Sequence, residues 1–154
     1  KPRAEWYVIY QDDASFLIFI ALHEIGHALA DVLALRFRGS AEDLADQFAF
    51  LVMTNVNDTE LAKRITRAGA AFFYHHGKEV DSQGGHRAGD EHSPSGERAF
   101  ELLCLLYGRH GDPNIGRALG RPGEVCAGHA RDTMAMWNQL LRPYTRLDTG
   151  NTFQ

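Results

Sequence analysis

The chain has 154 residues, 44% of them hydrophobic, enough for one compact domain with a single buried core. Sixteen Lys and Arg against twenty Asp and Glu leave a formal charge of −4 and no basic block, which argues against nucleic acid as a partner. The longest uncharged apolar run, 14–22, falls well short of the ~20 residues of a membrane-spanning helix, so a soluble protein with no membrane-spanning segment is expected.

Lys1 stands where Met would begin a chain and no signal-peptide pattern follows, as expected if a leader or upstream segment has been removed. "EWYVIYQ", residues 5–11, is aromatic and β-branched and reads as a strand or extended arm. A helix is predicted over 14–37, with N-caps available from Asp12, Asp13 and Ser15, Arg36 and Arg38 suited to its C-terminal dipole, and Gly39 as the stop. A second helix is predicted over 41–55, with Ser40 as N-cap and Asp43 three residues on. A third covers 59–76 behind Asp58, with Leu61, Ile65, Ala68 and Phe72 on its inward face.

Residues 77–89 hold four glycines and few apolar side chains, the pattern of a loop. Ser93 and Pro94 then suit the cap and first position of an apolar helix running to about 107. After a Gly/Pro/Asn connection, a last long helix begins near Gly123 and ends at Pro143. The expected fold is mainly α, a single domain over 1–154 with about five helices and at most a small sheet. Cys104 and Cys126 flank a Gly- and Pro-containing stretch that can fold back on itself. They are either a disulfide, which implies a secreted or periplasmic protein, or two reduced, buried small hydrophobes.

The chemistry concentrates in "IALHEIGHALADVL", residues 20–33. His23 and His27, four residues apart, stack on one helix face with Cβ atoms about 6 Å apart, so both imidazoles can bind one metal ion. Glu24 lies about 100° around the helix from His23, bordering that site without being forced to ligate. This is the HExxH arrangement, in which the metal activates a water and the glutamate takes its proton. An exposed helix with scattered polar residues fits poorly, because Phe16, Leu17, Ile20, Leu22, Ile25 and Leu29 surround the motif and uncompensated buried polar groups cost about 1 to 3 kcal/mol each. Gly26 leaves room for another segment to approach. Zinc is the expected ion, as His and Glu ligands suit it in a catalytic site.

A third ligand is needed, and the extended HExxHxxGxxH pattern is excluded because Ala30 and Leu33 occupy its glycine and last histidine positions. In "AEDLADQFAF", Glu42 and Asp46 lie four apart on one face. Glu42 can complete the set, with Asp43 as its rival, while Asp46 can accept the free N–H of a ligand histidine and fix its tautomer. "HEIGHAL" followed by "EDLADQ" resembles the gluzincin combination of HExxH and ExxxD. The run through "DEHSPSGERAFELLCLLYG" resembles a bacterial metallopeptidase family, a domain of unknown function named from its motif, over most of residues 16–141. That resemblance implies a zincin-like helical domain in which His23, His27 and Glu42 match the metal ligands and Glu24 the general base. It implies no substrate.

His92 precedes the fourth helix and can either donate a hydrogen bond to an oxyanion or help cap the helix, with Asp90 and Glu91 serving the dipole. His75, His76, His86, His110 and His129 lack ligand spacing and read as surface or loop residues. The sequence thus predicts a zinc-dependent hydrolase, most simply a peptidase acting on a peptide or protein substrate. The alternative is a zincin-like module that binds metal or a partner and turns nothing over.

Overall fold

The computed structural model describes residues 13–82 and 95–145. The expected strand at 5–11, the cap at Ser93, Pro94, His86 and His92 lie outside the described residues. Six helices occur among the described residues and no strand: α1 (Asp13–Val32), α2 (Ala41–Thr54), α3 (Thr59–Ser82), α4 (Ser95–His110), α5 (Pro113–Leu119) and α6 (Gly123–Leu141). The fold is mainly α.

Three helix ends differ from the expected ones, and one helix is additional. α1 stops before Phe37 because Ala34 takes the left-handed conformation, φ 47°. Leu35 N–H then bonds back to Ala30 O at 2.9 Å and Ala34 N–H to Asp31 O at 3.0 Å, closing the helix five residues before Gly39. α3 runs past His76 to Ser82, with Gly77 buried inside it. α4 continues through Gly108 to His110, where the missing side chain admits α6. α5 lies within the expected connection, where Asp112 accepts from Asn114 N–H at 2.9 Å and Pro113 holds the first helical position.

Two apolar clusters hold the helices together. The larger joins Phe19 of α1, Phe50 and Met53 of α2, Ile65 and Phe73 of α3, and Leu102 and Leu106 of α4. The smaller packs Leu44, Phe48 and Leu51 of α2 around Trp137 and Leu141 of α6. Side chains of this size stabilise by about 1.5–3 kcal/mol each when fully buried. Phe72 departs from its expected inward place: it is exposed and stacks on Phe16, ring centroids 4.4 Å apart.

By length and hydropathy alone α1 is apolar enough to cross a membrane. One face carries Ser15, Phe19, His23 and Gly26 inward, while Leu17, Ile18, Ile25 and Val32 stay exposed. The inward face decides the architecture: a Cβ placed on Gly26 would sit 2.9 Å from Ala45 Cα and 3.1 Å from Phe48 Cβ. α1 and α2 therefore approach backbone to backbone at Gly26, between His23 and His27, at a distance that any side chain there would crowd.

Candidate metal centre

That contact sets the first turn of α2 against the two histidines. His23 and His27 stand one helical turn apart with Nε2 atoms 3.0 Å from each other. Glu42 faces both, with Oε2 3.5 Å from His23 Nε2 and Oε1 3.3 Å from His27 Nε2. One donor atom from each of the three residues lies within 4.8 Å of the other two. A tetrahedral ion with bonds of about 2.0–2.1 Å keeps its ligand atoms about 3.3 Å apart. The two histidine nitrogens are 3.0 Å apart, and Glu42 reaches each of them with a different oxygen, at 3.3 and 3.5 Å, so the three side chains stand close to that spacing.

Proton placement supports the same fit. His23 Nδ1 lies 2.8 Å from Asp46 Oδ1, and a carboxylate accepts only, so Nδ1 carries a hydrogen, which in the neutral ring leaves the Nε2 lone pair for a cation. Two imidazole nitrogens that face each other at 3.0 Å beside a carboxylate need a proton or a cation between them. The donor set of two imidazoles and one carboxylate suits zinc.

Asp46 is buried and does a second thing besides holding His23. Its two oxygens take a forked pair of hydrogen bonds from Arg98 of α4, Nε to Oδ2 at 2.7 Å and Nη2 to Oδ1 at 2.9 Å. Arg98 Nη1 also lies 2.9 Å from Glu42 Oε2, and its guanidinium stacks over the Phe73 ring at 3.7 Å. Arg98 is absent from the site residues that the sequence predicts. Its signal was an arginine in line with Leu102 and Leu105, four and seven residues on, in the apolar stripe of α4.

Glu24 is exposed on α1, in the position after His23. Asp43, one residue from Glu42, is turned aside by the helix: its N–H caps onto Ser40 Oγ at 3.0 Å, and it lines a cavity of about 200 Å³ shared with Gln47, Arg98, Glu101 and His129. His129 is not the plain surface residue expected. It pairs with Glu101 at 2.9 Å, and that bond holds the Glu101 carboxyl below its usual range against the opposing effect of burial. His75 is half-buried on α3, whereas His76 is exposed and stacks on Phe72. His110 is half-buried at the end of α4. None of these gathers with other ligand types as His23, His27 and Glu42 do among the described residues.

Cys104 of α4 and Cys126 of α6 form a disulfide. Comparison with known proteins returns no curated protein and no solved structure that matches the chain. One family does match, over residues 7–141, a span that takes in α1, α2, Arg98 and both cysteines. Its description is "Putative metallopeptidase", and the chain belongs to that family.

Proposed function

We propose that the protein is a zinc-dependent peptidase in which His23, His27 and Glu42 hold the ion and Glu24 is the general base. The observation that carries this reading is the convergence of two imidazoles and one carboxylate, one donor atom of each within 4.8 Å of the others, between two largely apolar helices. Bound zinc lowers the pKa of a coordinated water to about 7 and polarises a carbonyl oxygen.

The chain's own residues supply the rest. The His27 side chain is 30% exposed and that of His23 only 6%, so the site opens towards His27. Glu24 lies three residues before His27, a near neighbour on the helix surface at that opening. It accepts a proton as water attacks the peptide carbonyl carbon, then passes that proton to the departing amine. Asp46 fixes the ring of His23, so that its Nε2 lone pair stays directed at the ion. The Cys104–Cys126 disulfide supports a secreted or periplasmic location, where such bonds persist.

Glu24→Gln tests the assignment, because the amide keeps the shape and cannot take the proton. The variant should retain zinc and thermal stability while cleavage of a peptide library falls by about 10² to 10⁴. Equal cleavage by both proteins with zinc bound would sink the proposal. If neither cleaves although both hold zinc, the chain is a metal-binding module instead.

A further inference from the structure

We infer that Arg98 is a positioning residue that holds Glu42 so that its carboxylate offers the metal one oxygen, Oε1, while Oε2 stays on the guanidinium. The inference rests on the metal-site reading of His23, His27 and Glu42. Arg98 is 7% exposed, and all three of its nitrogens are committed: Nε and Nη2 to Asp46, Nη1 to Glu42 Oε2. A guanidinium is a rigid plane, so these bonds fix two carboxylates of α2, one turn apart, at a set spacing. The Phe73 ring beneath it, at 3.7 Å, fixes the plane in turn.

The arrangement has two consequences for the ion. Glu42 Oε1 is 3.3 Å from His27 Nε2, while Oε2, 3.5 Å from His23 Nε2, is drawn towards α4 by Arg98. A carboxylate that gave both oxygens would fill a second coordination position, whereas one oxygen leaves room for water and a substrate carbonyl. The second consequence concerns charge: Glu42 and Asp46 sit side by side in a largely buried place, and Arg98 neutralises one of the two before any cation arrives. Lysine cannot replace it, since a single ammonium is a point donor without the fork.

The test uses Co²⁺ as a spectroscopic probe on wild type, Arg98→Lys and Arg98→Gln, with circular dichroism to follow folding. Wild type should take about one equivalent of Co²⁺ and give the intense visible absorption of a four-coordinate ion. Arg98→Lys, which keeps the charge that balances the buried carboxylates, should bind Co²⁺ about 10- to 100-fold more weakly, with weaker visible bands as Glu42 gives both oxygens. Arg98→Gln should bind no better than Arg98→Lys. A crystal structure of metal-loaded wild type reads the same point without any variant: one Glu42 oxygen on the ion, the other on Arg98. Wild-type affinity and spectrum in Arg98→Lys, or Glu42 bound through both oxygens in wild type, would overturn the role of Arg98 and leave the metal site standing. Absence of Co²⁺ binding by wild type would overturn both.

Discussion

At the α1–α2 crossing a Cβ on Gly26 would lie 2.9 Å from Ala45 Cα, and at the α4–α6 crossing a Cβ on Gly108 would lie 2.0 Å from Cys126 O. Both crossings bring two helix backbones into contact by omitting one side chain. What they do with the closeness differs. The first sets His23 and His27 against Glu42 and Asp46, groups that must each find a partner once buried. The second lines up Cys104 with Cys126 in apolar surroundings and needs nothing from solution. A crossing whose polar groups converge on an ion gains stability from that ion in proportion to its occupancy, and a crossing closed by a covalent bond does not.

The largest effect that can separate the two crossings comes from removing the disulfide. The cysteines are 22 residues apart, and closing a loop of that size stabilises by about 3 kcal/mol. Cys104→Ala with Cys126→Ala should lower the unfolding free energy by that amount in denaturant titration while zinc affinity of the folded protein stays unchanged. A parallel loss of zinc affinity would mean that the α4–α6 crossing positions the site after all, through Arg98 on α4.

A methyl group at each glycine gives the matched test. Overpacking against backbone costs about 1–3 kcal/mol and alanine recovers about 1 kcal/mol of helix propensity, so both variants should lose stability, Gly108→Ala the more because its Cβ would meet backbone at 2.0 Å rather than 2.9 Å. Only Gly26→Ala should weaken zinc binding, because it pushes Glu42 away from the histidines. Gly108→Ala, with the tighter clash, should bind zinc as wild type does. Equal zinc affinities measured by chelator competition would break the distinction.

What the sequence disclosed about these two regions follows from the range of the interactions. The pairs His23/His27 and Glu42/Asp46 are each four residues apart, so a helix alone puts each pair on one face, and the fold brings the four side chains together. Arg98 joins them from 52 residues beyond Asp46, and no local pattern names its partners. The helix ends were misjudged where packing or backbone strain outweighed propensity. Arg36, Arg38 and Gly39 suit a helix reaching residue 37, but Ala34 turns the chain at φ 47°. The short α5 was the reverse case: Asp112 and Pro113 carried a start signal that a reading for long periodic runs passes over.

The smallest expected effect concerns histidines in the two regions. His23 is buried with a carboxylate on its Nδ1, whereas His110 Nε2, at the end of α4, meets no hydrogen-bond partner among the described residues. Burial, and then the nearby charges of Arg109 and Lys63, push the His110 imidazole below its ordinary 6.5, with Glu60 opposing. The unfolded chain therefore takes up this proton before the folded one does. Above 6.5 both forms are neutral and His110 contributes nothing to pH dependence; as pH falls through 6.5 towards the lowered value, stability is lost. Glu101, held low by His129, loses its contribution only below 4.5, so it does not confuse the higher window. His110→Gln should therefore show a smaller drop in unfolding free energy than wild type between pH of about 7.5 and about 5.5, with zinc affinity at neutral pH unchanged. Equal drops in the two proteins would place the acid sensitivity of that window elsewhere.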